Sequence, residues 1–306
     1  VPRPSQSIAG VKTHFTLTAI DAQGNKCETG GEQVTVLSKF FGPMCIPLDH
    51  YQPFERVEDH GDGTYTIDWC AYQVGEYQVV VTVGGLAVHT TPPITMSVLA
   101  AETHPTSCTA TGGPFLGAVA SRTLSFTIQS RDSYGNAGNV GGDLFHAAVQ
   151  SMGAEFISSS ITDNEDGRHT VNFAALRGGS YTASVKLDGH HISGSPYKLA
   201  VIASSIYGPA CTVAGGGLAE CQSGQIATYS VVAKDEFSNV IEHGADLLHL
   251  SASFKADVAV GANIQYVGCG LYQVSAAMTV AGQYELQVYL SGQQIGDGPW
   301  NMSCLP

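Results

Sequence analysis

A short signature recurs along this chain at a fixed spacing, and that recurrence constrains the fold more than any other feature. Asp62-Gly63-Thr64-Tyr65 is answered 104 positions later by Asp166-Gly167-Arg168-His169, and 103 positions after that by Cys269-Gly270-Leu271-Tyr272. Each copy is followed by a Gly-x-Tyr element, at Gly75-Glu76-Tyr77, Gly179-Ser180-Tyr181 and Gly282-Gln283-Tyr284. Prolines Pro93, Pro196 and Pro299 keep the same period. Upstream, Asp21-Ala22-Gln23-Gly24-Asn25 matches Asp132-Ser133-Tyr134-Gly135-Asn136 and Asp235-Glu236-Phe237-Ser238-Asn239. A chain of 306 residues therefore divides into three units of the size of one small domain, over 1–100, 101–203 and 204–306.

Within each unit the apolar rhythm is two, which is the strand period. Tyr77, Val79, Val81 and Val83 alternate with polar neighbours, as do Tyr181, Ala183, Val185 and Leu187, and Tyr284, Leu286, Val288 and Leu290. Phe15 and Leu17, Phe126 and Ile128, and Tyr229 and Val231 occupy matching places earlier in each unit. No segment carries an i, i+3, i+4 apolar stripe, so the chain is expected to be all-β. The Asp-Gly pairs suit tight connections, because Gly accepts positive φ and Asp bonds back to the main chain. The Gly-x-Tyr elements suit a tyrosine corner, in which the hydroxyl ties a loop to the strand that follows it.

These residues resemble the filamin (actin-binding-protein) repeat. The resemblance rests on Asp59-His60-Gly61-Asp62-Gly63-Thr64-Tyr65 through Gly75-Glu76-Tyr77, and on Gly194-Ser195-Pro196-Tyr197 at the close of unit two. It rests also on the Asp-to-Asn stretches followed by Gly30-Gly31 or Gly141-Gly142. It covers nearly the whole chain and implies three tandem immunoglobulin-like β-sandwiches. It is strongest in unit two. It is weakest at the start of unit one, where a first strand is expected to be absent or very short. Unit three departs by placing Cys269 where the turn aspartate belongs.

Composition narrows the function. The net charge is −13 with only 13 basic residues, scattered singly, so there is no basic stripe to neutralise phosphates. The same balance disfavours anionic lipid surfaces. Neither nucleic acid nor direct membrane binding is expected. No apolar run reaches the ~18 residues of a membrane span, and Val1-Pro2-Arg3-Pro4 does not open a signal peptide. The chain reads as an excised piece of a larger protein.

Eight cysteines occur, with no Cys-x-x-Cys pair. The alternating strand directions that the filamin resemblance implies would bring Cys45 near Cys70, Cys221 near Cys304, and Cys211 near Cys269. Cys27 and Cys108 are left without a mate. Disulfides in those places would fit an oxidising compartment and a lysine-poor surface; buried free thiols are the alternative. Asn301-Met302-Ser303 is a candidate glycosylation sequon in the last strand.

No sequence motif of catalysis is present: no nucleophile elbow, no zinc-protease helix, no phosphate-binding Gly loop. His190-His191 reads as a solvated turn rather than a metal pair. Asp163-Asn164-Glu165-Asp166-Gly167 lacks the distant glutamate of an EF-hand and reads as a strand turn. Trp69 and Trp300 read as core. No enzyme activity, metal or cofactor is expected.

Unit one carries about seven extra residues relative to the others between its third and fourth strands. The segment includes Phe40, Phe41, Met44 and Ile46, too apolar for a loop that merely faces water. It is either a contact loop for a partner or a cover over an open sheet edge or a neighbouring unit. The resemblance implies a second surface, the groove beside strand C, where a partner strand can add to the sheet. Strand C is expected at Glu32–Ser38, Asp143–Val149 and Asp246–Ser253. The chain is thus read as a non-catalytic adhesion and spacer segment of a cell-surface or secreted protein, binding protein partners. The filamin-type repeats of gamete-surface adhesion proteins are its analogy. The alternative is an intracellular cytoskeletal or ciliary scaffold, and no feature fixes an oligomeric state.

Overall fold

A computed structural model describes residues 6–42, 53–88, 94–153, 156–242, 250–255, 261–290 and 292–306. Among them there is no α-helix, hence none long and apolar enough to cross a membrane; strands and four single-turn 3-10 segments account for the regular structure. Repeat one contains β1 (Gln6–Ile8), β2 (Thr13–Thr18), β3 (Val34–Phe41), β4 (Phe54–Asp59), β5 (Thr64–Cys70), β6 (Gly75–Val83), β7 (Leu86–Ala87) and β8 (Ile94–Leu99). Its sheets are β1-β8-β6-β3, with β7 also on β6, and β2-β5-β4.

Repeat two follows with β9 (Thr109–Thr111), β10 (Ala118–Val119), β11 (Ser121–Gln129), β12 (Phe145–Ser151), β13 (Phe156–Ile157), β14 (Ser159–Asp163), β15 (Arg168–Ala175), β16 (Gly179–Leu187), β17 (His190–His191) and β18 (Tyr197–Ile202). They form sheets β10-β18-β16-β12-β13 and β14-β15-β11-β9. Repeat three has β19 (Thr212–Ala214), β20 (Glu220–Gln222), β21 (Ile226–Val232), β22 (Leu250–Lys255), β23 (Ala262–Gly268), β24 (Leu271–Ala277), β25 (Gly282–Leu290), β26 (Gln293–Gln294) and β27 (Trp300–Leu305). Its sheets are β20-β27-β25-β22 and β19-β21-β24-β23. Among the described residues no sheet draws strands from two repeats.

The alternating residues fill the space between each pair of sheets. Trp69, Ile67, Tyr77, Val79 and Met96 are buried in repeat one; Phe126, Ile128, Val171, Tyr181 and Val185 in repeat two; Val231, Val274, Leu286 and Val288 in repeat three. In the described part of repeat one nothing corresponds to β9 or β19, so β2 lacks the neighbour that β11 and β21 possess.

The recurring signature builds the joins. Gly63 has φ +76°, and a Cβ there would sit 2.0 Å from the Cys27 oxygen; Gly167 has φ +78°, with the Gly138 oxygen at 2.1 Å. Only glycine fits such a turn. Asp62 and Asp166 each accept the main-chain N–H two residues on, at 2.9 and 3.0 Å. The tyrosine corners repeat too. Tyr77, Tyr181 and Tyr284 donate their hydroxyls to the oxygens of Gln73, Arg177 and Val280, at 3.0, 2.6 and 2.7 Å.

The upstream Asp-to-Asn turns do a second job at the ends of the repeats. Asp132 accepts through Oδ1 from the N–H groups of Tyr134 and Asn136, and through Oδ2 from Asn136 Nδ2. Asn136 then reaches into repeat one, where Nδ2 donates to Tyr72 O at 2.7 Å and Oδ1 accepts from Val74 N at 3.0 Å. Ala101 N, in the connecting peptide, donates to Asp132 Oδ2. Asp235 and Asn239 repeat the arrangement against repeat two, bonding Leu176 O at 2.7 Å, Gly178 N at 2.9 Å and, in the connection, Ser204 N at 2.8 Å. Arg122 joins this second contact, 3.6 Å from Glu236 and over the Phe237 ring.

Candidate partner-binding surface

Strand C lies further along the chain than the sequence suggests. It runs over Val34–Phe41 in repeat one and Phe145–Ser151 in repeat two; in repeat three the described strand is Leu250–Lys255, its expected start lying outside the described residues. Phe40 and Phe41 are therefore strand residues and not part of the loop, which corrects the sequence expectation. Met44, Cys45 and Ile46 lie outside the described residues. The alternation Val34, Val36, Ser38, Phe40 continues inward to the end of β3. Ser38 obscures it, as a polar residue at a core-facing place. Its hydroxyl accepts the buried Trp69 indole N–H at 2.8 Å and donates to Glu55 Oε1 at 2.5 Å, tying β3 of one sheet to β4 and β5 of the other.

The two phenylalanines part company. Phe40 packs on the repeat-one core with its ring centroid 5.0 Å from that of Tyr77, and Gly75 leaves room for it. Phe41 points out, 51% exposed, with the Lys39 ammonium 5.0 Å from its ring centre. On the same outward face Leu37 is 64% exposed and stands opposite Val80 in the ladder. Repeat two has Ala148 opposite Ser184 in the same register. Leu37, Val80 and Phe41 thus form an apolar stripe on the outside of β3 and β6; repeat two keeps an exposed apolar residue at the Phe41 place, Met152, but lacks the Leu37–Val80 pair. Leu37 and Val80 were missed in the sequence because exposed and buried apolar residues look alike in a two-residue rhythm.

The edge beside this stripe is open among the described residues. β3 ends its sheet, whereas the corresponding β12 is covered by β13, which pairs Ile157 with Val149 and Phe156 with Gln150. β4 ends the opposing sheet. An edge strand leaves main-chain donors and acceptors for another strand to use.

The cysteines sort differently from one another. Cys221 and Cys304 stand directly opposite in the parallel β20–β27 pair. Burial, then the neighbouring Cys304 thiol, pushes Cys221 up to about 11. Cys211 is buried, while Cys269 is exposed in the β23–β24 turn with φ +48°. Cys211 Sγ lies 3.4 Å from Tyr207 O and accepts from Lys234 N at 3.3 Å. Cys108 holds the same position in repeat two, 3.3 Å from His104 O and accepting from Arg131 N at 3.4 Å. Burial raises both thiols. A shared role as a buried thiol beneath a 3-10 turn accounts for the pair, and their 103-residue separation was the signal for it. Cys70 is buried, and its expected mate Cys45 is outside the described residues. All seven described cysteines are free thiols in this structure. Asn301 lies exposed on β27, and Ser303 of its sequon hydrogen-bonds the Gln283 amide.

The acidic turn that could suggest calcium is used by the fold. Asp163 accepts from Glu165 N and Gly142 N, bonds that hold its carboxyl below the ordinary range. His190 and His191 are exposed on the short β17. No group of three potential metal ligands occurs among the described residues. A cleft of about 620 Å³ between repeats two and three is lined by Gly178, Ile202, Asn239, Ile241 and Glu242, with Glu242 the one ionisable group among the described residues that line it.

Residues 102–198 match the sequence model of the Filamin/ABP280 repeat, and residues 4–98 that of Invasin, domain 3. Filamin-C of Rattus norvegicus is 26% identical over 99% of this chain and 10% of its own length. The chain spans about a tenth of that curated relative. Among solved structures, the Escherichia coli adhesin FdeC is similar with a TM-score of 0.65 and 18% identity, over 99% of this chain and 95% of that one. Invasin, described as a bacterial integrin-binding protein, is similar with a TM-score of 0.55 and 15% identity, over 100% and 59%. At these identities the structural likeness concerns the fold.

Proposed function

We propose that the chain, a tandem array of filamin-type immunoglobulin-like repeats, serves as a non-catalytic adhesion and spacer segment of a cell-surface or secreted protein. Repeat one carries the partner surface: the open edge of β3, the outward stripe of Leu37, Val80 and Phe41, and the inserted loop with Met44, Cys45 and Ile46. The observation that carries this reading is the edge strand β3, uncovered among the described residues where its counterpart β12 is capped. A partner strand laid along it would draw affinity from main-chain bonds and selectivity from the apolar stripe. The likeness of the whole chain to an adhesin fold and of repeat one to an invasin domain supports a place outside the cell. There Cys221–Cys304 would close as a disulfide, and Asn301 would carry a glycan.

The test is binding of labelled chain to cells or to captured partner protein, comparing wild type with Leu37→Glu and Phe41→Ser. Both outward residues leave the core intact, so folding is expected to persist while binding falls about tenfold or more, equivalent to ~1.4 kcal/mol. Unchanged binding by both variants would remove the outward stripe of repeat one as a contact surface.

A second reading, a cytoskeletal or ciliary scaffold with reduced cysteines, draws support from the Filamin-C likeness along nearly the whole chain. Thiol counting on protein purified from its native source without reductant separates the two. Blocked Cys221 and Cys304 support the surface protein, and eight free thiols support the scaffold.

A further inference from the structure

Three copies of the Asp-to-Asn turn exist, and two of them hold the preceding repeat. The third has the same internal construction. Asp21 Oδ1 accepts from Gln23 N at 2.9 Å and Asn25 N at 2.8 Å, and Oδ2 accepts from Asn25 Nδ2 at 3.0 Å. A bridge between Ile20 and Lys26 closes the turn, as Arg131 with Ala137 and Lys234 with Val240 do in the others. The difference lies outside the turn. Asp132, Asn136 and Asp235 are 1%, 3% and 0% exposed, whereas Asp21 and Asn25 are exposed.

The turn alone does not need the asparagine side chain. An aspartate bonding the N–H groups two and four residues on already closes it. In repeats two and three the Asp-to-Asn side-chain bond does something more. It fixes the carboxamide so that Oδ1 and the second N–H face the neighbouring repeat, where they meet an N–H and a C=O two residues apart. That acceptor and donor pair precedes a tyrosine corner each time: Tyr72 O and Val74 N before Tyr77, Leu176 O and Gly178 N before Tyr181. Asp Oδ2 then takes an N–H from the connecting peptide. The peptide continues as β9 or β19 along the following repeat, pairing Thr127, Ile128 and Gln129 in repeat two. In repeat one the corresponding edge, at Thr16, Leu17 and Thr18 of β2, is open among the described residues.

We propose that Asp21 and Asn25 form the docking socket for another immunoglobulin-like repeat, lying ahead of repeat one in the same polypeptide and seated by the loop before its tyrosine corner. The socket and the open β2 edge lie on the one path that a connecting peptide takes in both observed joints. A linked repeat suits this socket better than a separate molecule, because each observed joint includes a bond from the connecting peptide itself. The inference concerns how the array extends, and holds for either cellular setting above.

The test supplies such a repeat. Gln6 faces Ser97 as Glu220 faces Ser303, so residues 101–219 joined directly ahead of Gln6 reproduce the register of the joint between repeats two and three. With only the added segment isotope-labelled, amide exchange at its copy of Gly178 reports docking. Exchange at least about tenfold slower than in the same chain bearing Asn25→Ala is expected, a change like that between wild type and Asn239→Ala at the native Gly178. Equal exchange with Asn25 and with Ala would overturn the proposal. Sedimentation of the unextended chain over a range of concentrations is the second arm. Association that Asn25→Ala abolishes would assign the socket to a second copy of the chain and overturn the linked-repeat proposal; a monomer at all concentrations agrees with it.

Discussion

The side-chain amide of Asn136 in repeat two donates to the carbonyl oxygen of Tyr72 in repeat one at 2.7 Å, across 64 positions of sequence. With its other end Asn136 accepts from Val74 N, and Asp132 holds the whole carboxamide in place. The side chain is 3% exposed, so removing it takes the partner from a part-buried carbonyl and a part-buried N–H and leaves Asp132 Oδ2 with the bond from Ala101 N alone. Asn136→Ala should therefore cost about 1–3 kcal/mol and loosen the joint without unfolding either sandwich. Denaturant unfolding gives the first quantity. Hydrogen exchange at Val74 gives the second, and protection there equal to wild type would show that the contact does not hold the repeats together.

The repeat signature made three sandwiches legible from sequence, because turn glycines, tyrosine corners and the two-residue rhythm are local chemistry that each unit must satisfy alone. The Asp-to-Asn turn was legible only as a turn. Its asparagine acts on a neighbour, and a bond between Asn136 and Tyr72 leaves no trace in either repeat read separately. The limit of strand C was obscured by Ser38, whose hydroxyl is satisfied by Trp69 and Glu55 from the opposing sheet. Cys221 and Cys304 stand opposite each other on adjacent strands, whereas the buried role common to Cys108 and Cys211 required comparing equivalent positions.

Phe40 and Phe41 are adjacent and predict opposite behaviour. Phe40 packs against Tyr77 and the repeat-one core, so Phe40→Ala should destabilise by about 2–3 kcal/mol, somewhat less than a fully buried ring. Phe41 touches Lys39 and solvent, so Phe41→Ser should change stability by less than about 0.5 kcal/mol and act on partner binding instead. Urea midpoints for the two single variants check the difference. Equal losses would return both residues to one structural role.

Acid should weaken the array through its turn carboxylates. The Thr64 hydroxyl and N–H hold Asp62 down to about 2, and the N–H groups of Glu165 and Gly142 lower Asp163. At Asp235 burial opposes ionisation, but the bonds from Asn239, Ser204 and Phe237 outweigh it and the net shift is down. Each carboxylate binds its proton less readily folded than unfolded. Its contribution is complete above the ordinary value of 3.8 and is lost as pH falls through the folded value, Asp62 at about 2. Denaturant midpoints should be flat between about pH 5 and 7 and fall below about 4. Asp163→Asn should flatten part of that fall. A midpoint independent of pH down to about 2.5 would contradict the assignment.

Cys221 and Cys304 offer the sharpest redox distinction in the chain. They are register partners on adjacent parallel strands, so closing them would link β20 to β27 with little movement of the main chain. Cys108 and Cys211, by contrast, are each occupied by main-chain groups in their own repeats. A thiolate is the attacking species, and with Cys221 raised to about 11 little of it exists at neutral pH. Air oxidation should therefore be slow, and oxidised glutathione at mildly alkaline pH should speed it. Peptide mapping after that treatment should recover a Cys221–Cys304 link, with Cys108 and Cys211 alkylated as free thiols only after unfolding. The linked form should resist denaturant better than the Cys304→Ser variant, by up to a few kcal/mol as is usual for a bond closing so long a loop. Oxidation that joined Cys211 to Cys269 and left Cys221 free would refute this order and place the staple at the other end of repeat three.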